Sequence, residues 1–183
     1  MLLDDLLRQD RFAYFAYGSC MNQASLSISL DCAVAPYFVG AALLEGYRLA
    51  FNYPSVREPV CCANIEPAAH AVVEGALYEL PLGLLDALDV REGVKAGRYA
   101  RYLVNVRTAQ GSTVPALTYR GAVTLPDEAA PSARYRELLV RGFEDAGVSR
   151  LYRTHTVAQL DSLRERVPEE ESEAVSEFVL KQV

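Results

Sequence analysis

The chain has no tryptophan, only two methionines and only two histidines among its 183 residues. With His70 and His155 as the sole imidazoles, and neither joined by spacing to a pair of cysteines, no zinc site of the usual Cys/His kind is expected. The four cysteines, Cys20, Cys32, Cys61 and Cys62, contain no C-x-x-C pair, and the adjacency of the last two disfavours a bond between them. Four reduced, mostly buried thiols are the expectation. No apolar run reaches the roughly 18 to 20 residues of a membrane helix. The opening MLLDDLLRQD lacks the basic start, long apolar stretch and small-residue cleavage site of a secretory signal, so a cytoplasmic protein is expected. A basic patch is missing as well. The 18 Lys and Arg residues are dispersed among 24 Asp and Glu, for a net charge of −6, and nucleic acid is not an expected partner.

What is present is the composition of an ordinary folded domain. Hydrophobic residues make up 51% and charged residues 23%, and the length suits one domain, residues 1–183, able to bury a core without disulfides or metal. Residues 12–17 are aromatic or alanine throughout, which suits a strand covered on both faces and ended by Gly18. Further strands are expected around 36–43, 46–52 and 72–80. Residues 99–108 alternate, with Tyr102, Val104 and Val106 on one side, and the AQGS that follows contains the glycine of a hairpin turn leading to a partner strand at 113–119.

Helices are expected mainly late in the chain. Residues 81–89 have apolar positions at helical spacing, with Pro81 tolerated in the first turn. Residues 132–146 carry Tyr135, Leu138, Leu139 and Phe143 on one stripe and are followed by Gly147, a suitable C-terminal cap. Thr156 with Gln159 reads as a capping box opening a helix that stops before Pro168, and Glu169 to Glu171 lead to a last helix carrying Val175, Phe178 and Val179. Strands first and helices last argue an α+β fold, with helices around an antiparallel, barrel-like sheet.

Two stretches carry chemistry. At FAYGSCMN an apolar strand stops at Gly18-Ser19, where successive backbone amides can face one point and form a small anion or oxyanion site. At LDVREGVKAGRY, residues 88–99, Glu92 follows the end of the 81–89 helix in what reads as an irregular segment, a frequent position for a general base. By residue pattern alone each is also compatible with an ordinary turn.

Together, YFAYGSCMN, ANIEPAAHAVVEGALYEL, LDVREGVKAGRY and APSARYRELLVRGFEDAG resemble, in order and spacing, the signature regions of the gamma-glutamylcyclotransferase family over most of residues 12–150. The resemblance implies a small mixed or antiparallel β-barrel flanked by helices, with helices also over 151–183. It also implies a cofactor-independent reaction that releases 5-oxoproline from a small γ-glutamyl substrate. It assigns catalysis to Glu92 as general acid/base and substrate binding to Tyr17, Gly18, Ser19, Cys20, Met21, Tyr99 and Tyr135. Many members have Asn where this chain has Cys20. Rival readings make Cys20 the nucleophile of an amidase with His70 or His155 as base, or make the domain a binding module without turnover.

Overall fold

A computed structural model describes residues 9–56 and 58–166. The expected helix around Val175 to Val179 and the Glu169 to Glu171 run lie outside these. Among the described residues, five strands close into a barrel in the order β1-β3-β2-β4-β5, and four α-helices pack around it. The expected α+β barrel is the fold observed.

Strand β1, Arg11–Ala16, is short and apolar and pairs antiparallel with β3, Cys61–Pro81. β2, Phe38–Pro54, forms a long hairpin with β3. The two strands expected at 36–43 and 46–52 are thus one bulged strand. Gly46, at φ 78°, sits in a bulge where the register jumps from Glu45↔Val72 to Tyr47↔Pro67, and this kink mimics a strand boundary. The same irregularity hides the first half of β3. Pro67 and the left-handed His70 (φ 66°) read as a loop, yet pairing continues to Pro54↔Cys61. β4, Tyr99–Thr108, and β5, Thr113–Gly121, form the expected hairpin. Tyr102 shares a face with Val104 and Val106, as expected, but is exposed there beneath the guanidinium of Arg120, 4.8 Å from the ring centre.

The barrel closes where β1 meets β5 in parallel at Tyr14↔Leu117. Thr118 Oγ1 donates to Phe15 O at 2.8 Å across this seam, and the Tyr17 hydroxyl donates to Tyr119 O. Phe12, Phe15, Phe51, Ile65, Tyr78, Leu80 and Leu117, from both faces of the sheet, are all fully enclosed. Gly75 lets β3 pass close to the end of β1, because a Cβ there would stand 2.3 Å from Ala16 O.

Helix α1, Gln23–Leu30, was not evident in the sequence, since QASLSISL has little helix propensity. It is held by its ends and by its neighbours. Asn22 Oδ1 accepts from Ser25 N at 2.9 Å, and Asp145 Oδ2 accepts from Gln23 N at 2.9 Å, bringing a negative charge to the helix N-terminus. α2, Leu85–Glu92, ends at Gly93, whose φ of 67° turns the chain away. α3, Ala133–Ala146, starts at the Ser132 cap and stops at Gly147 as expected, burying Leu139 and Phe143. α4, Arg150–Ser162, begins six residues before Thr156 with Ser149 as its cap. Thr156 is a buried mid-helix residue, so the expected capping box is not used.

Candidate active site

The strand β1 delivers its last residues to a cavity of about 360 Å³. Tyr17, Gly18, Ser19 and Cys20 line one side, Glu92 and Arg91 another, and Tyr99, Tyr119 and Tyr135 a third. Of the eight residues singled out from the sequence, seven meet here. Met21 does not line the cavity. It is fully buried, and its carbonyl accepts a 3.4 Å hydrogen bond from the Tyr78 hydroxyl.

Residues Ser19–Met21 form a single 3-10 turn, in which Met21 N donates to Gly18 O and Asn22 N to Ser19 O. The amides at the start of such a turn have no partner within it. Gly18 has φ −114°, so its glycine is not required by backbone handedness. It is required by proximity: a Cβ there would lie 2.9 Å from the Tyr135 hydroxyl. From behind, α3 presses Gly142 against the turn, where a Cβ would meet both Met21 Cβ and Asn22 N at 2.9 Å.

Glu92 is the final residue of α2 and not part of an irregular segment. The helix places it rigidly, and two neighbours on that helix anchor it. Asp89 accepts from Arg101 of β4, with Nε to Oδ1 at 3.0 Å, and from the Tyr119 hydroxyl of β5 at 2.7 Å. Arg91 donates to Ser25 O of α1 at 3.0 Å, to Ser19 Oγ at 3.3 Å and, through Nε, to Cys20 Sγ at 2.9 Å. Cys20 in turn donates its S–H to Glu92 Oε1 at 3.1 Å. A chain guanidinium–thiol–carboxylate therefore runs along the cavity wall.

The electrostatics follow from burial. Residue Glu92 keeps some exposure toward the cavity, while its carboxyl group is enclosed by protein, and this burial raises its pKa despite the Cys20 hydrogen bond and the Arg91 charge. Burial and the nearby Glu92 push the Cys20 thiol up to about 12, so it is neutral. Asp89 behaves oppositely: partial burial favours its protonated form, but the Arg101 and Tyr119 hydrogen bonds outweigh this and its pKa is lowered. Tyr99 and Tyr135 bracket the backbone of one residue, the former donating to Ala63 O at 2.8 Å and the latter accepting from Ala63 N at 3.2 Å.

Sequence reasoning missed Arg91, Asp89 and Tyr119, which hold the site together, and Arg98, which is exposed at the cavity edge beside Gly93. Arg91 had one available signal, its position next to the candidate acid. Arg48 and Arg101, with no spacing to select them as substrate ligands, are paired with Glu66 and Glu128 and with Asp89. Tyr53, Ser55, Val56 and Cys62 of the 52–62 region form the outer wall.

The closed α+β barrel is a fold shared by a set of known proteins. The AIG2-like family model matches residues 72–155. A gamma-glutamylcyclotransferase from Bos taurus is 28% identical over 151 residues, 79% of this chain and 78% of that one. The putative gamma-glutamylcyclotransferase YkqA of Bacillus subtilis is 35% identical over 136 residues, 72% of this chain and 46% of its own length. Its crystal structure superimposes with a TM-score of 0.77 at 28% identity, covering 86% of this chain and 57% of that one, so YkqA extends well beyond the shared part. A solved gamma-glutamyl cyclotransferase shares the fold at TM-score 0.71 and 24% identity, covering 91% of this chain and 99% of that one. The chain belongs to the gamma-glutamylcyclotransferase-like family.

Proposed function

We infer that the chain is a gamma-glutamyl cyclotransferase, and the observation that carries this reading is the Glu92 carboxyl, buried against the Gly18–Cys20 turn with its proton affinity raised. In a γ-glutamyl amide the α-amine and the side-chain carbonyl belong to the same residue. Folding that residue back brings the nitrogen to the carbonyl carbon, and the enclosed cavity supplies the constraint. Glu92 takes a proton from the α-ammonium, and the freed amine attacks the carbonyl. The C–N bond of the lactam forms while negative charge moves to oxygen, where the turn amides stabilise it. The protonated Glu92 then delivers its proton to the departing nitrogen, the original amide C–N bond breaks, the ring nitrogen gives its second proton to the released amine, and 5-oxoproline and an ammonium leave. The step as written consumes no co-reactant, and Glu92 ends as it began. A base with a raised pKa suits both halves of this exchange near neutral pH.

Tyr17, Ser19, Cys20, Tyr99 and Tyr135 form the wall around the glutamyl group in this reading, with Met21 supporting the turn from the core. The Cys20 amidase alternative requires a thiolate and a nearby base. The thiol is held neutral, and His70 on β3 and His155 on α4 are both exposed and line no part of the cavity. The test is 5-oxoproline release from a panel of γ-glutamyl amino acids, γ-glutamyl amines and glutathione. Turnover of any member, lost by about a hundredfold or more in Glu92→Gln, is the expected result. Ligand-induced stabilisation without release from any of them would make the domain a binding module instead.

A further inference from the structure

Cys20 has an unusual position: its sulfur lies between a guanidinium and a carboxylate. The sulfur accepts from Arg91 Nε at 2.9 Å, and its single proton goes to Glu92 Oε1 at 3.1 Å. A neutral thiol has one hydrogen to give. With that hydrogen engaged by Glu92, and the guanidinium on the sulfur, the side chain has no donor left for a molecule in the cavity it lines. The residue is 6% exposed, and Arg91 is itself tied to the carbonyl of Ser25 and the hydroxyl of Ser19, so neither partner is free to turn away.

We propose that Cys20 is a positioning residue, which transmits the fixed placement of Arg91 to the Glu92 carboxylate and holds Oε1 so that Glu92 faces the substrate nitrogen. This rests on Glu92 acting as the acid/base. A thiol suits the task because it is a weak donor. A hydroxyl or amide in its place would orient the carboxylate equally well but would hold its charged form more strongly and make it a poorer base. Orientation is thus obtained at little loss of basicity.

The remaining groups facing Glu92 do not compete for this role. Tyr14 from β1, Tyr17 just after it, Tyr99 from β4, Tyr119 from β5 and Tyr135 from α3 are all pushed by burial further above the ordinary tyrosine range, and Cys62 from β3 is raised to about 11. All are neutral across the working range. Asp89 and Arg91, on the same helix, are the charged neighbours.

The experiment compares Cys20→Ala, Cys20→Ser and Glu92→Gln with the unaltered chain. It measures kcat and KM across pH and the titration of Glu92 by carbon-13 NMR of its labelled carboxyl. Loss of the donor in Cys20→Ala is expected to lower kcat by about tenfold or more with KM little changed, and to move both the acidic limb of the pH profile and the NMR titration to higher pH. Cys20→Ser restores a donor, a stronger one, and is expected to recover most of kcat while moving both to lower pH. A rise in KM at constant kcat would make Cys20 a substrate ligand and overturn the proposal. So would an NMR titration of Glu92 that is identical in folded Cys20→Ala and Cys20→Ser. Full turnover by Glu92→Gln would remove the acid/base reading itself, and the role of Cys20 with it. Dead Glu92→Gln with unmoved Cys20 profiles would overturn the role of Cys20 alone.

Discussion

A buried acid whose proton affinity is raised has a cost for the fold. Because burial lifts Glu92 above its unfolded value of about 4.3, the folded chain holds its proton more tightly than the unfolded one, and stability falls as pH rises from there through the folded pKa. Above that window the loss is complete and constant. Glu92→Gln, which carries no charge to bury, is therefore expected to melt at a higher temperature than the unaltered chain at pH 7, with the advantage vanishing below about pH 4. Calorimetry at the two pH values checks this; a lower Tm at pH 7 would mean that the ionised carboxylate is a net source of stability. Arg98 is the second residue of interest. It stands at the cavity edge near Tyr53, outward from Glu92, where the departing amine would lie. For leaving groups that carry a carboxylate, Arg98→Ala should raise KM several-fold, by the worth of about one exposed ion pair, and should leave uncharged amines unaffected.

At the level of elements, the site depends on how α2 is fastened. Asp89 links it to β4 and β5, and Arg91 links it to α1 and the 3-10 turn. Asp89→Asn breaks the charged pairing with Arg101, and since the Asp89 pKa is lowered, its contribution is present above the unfolded value of about 3.9 and is lost as pH falls through the folded one. Its stability difference from the unaltered chain should accordingly be largest near neutrality and shrink in acid, as urea melts at pH 7 and pH 3 would read. Gly142→Ala pushes α3 off the turn and should lower both Tm and turnover, because the added Cβ meets Met21 and Asn22 head on. How these elements were legible varies. The 99–121 hairpin and the 133–146 helix were readable because their period, turn glycine and caps agree. Helix α1 was not, since its stability comes from Asn22, from Asp145 over a hundred residues away and from buried Leu26 and Leu30. Glu92 was visible as a residue but not as a helix end, because Gly93 and Gly97 make the surrounding segment look looser than it is.

On the scale of the molecule, the barrel is joined by a seam between strands roughly a hundred positions apart. Thr118 is fully enclosed there, and its hydroxyl is bonded to the carbonyl of Phe15. Thr118→Val should cost about 1 to 3 kcal/mol in chemical denaturation, since it leaves a buried carbonyl without that donor. A closed barrel was foreseeable from strand-rich patterning and from the family resemblance, but the seam was not. Parallel contact between the first and last strands leaves no local trace in either, and β2 and β3 disguise their length with bulges.

That seam also bears on the order of events at the ribosome. The cavity takes Tyr14 and Gly18 from the first strand and the turn after it, Tyr119 from the last strand, and Tyr135 from the helix beyond. A nascent chain that has exposed the whole β2–β3 hairpin and even Glu92 therefore still lacks a pocket. The site comes into being late in synthesis, when β5 docks and α3 closes over the turn, so polypeptides cut short before Tyr135 should retain no ability to bind the substrate.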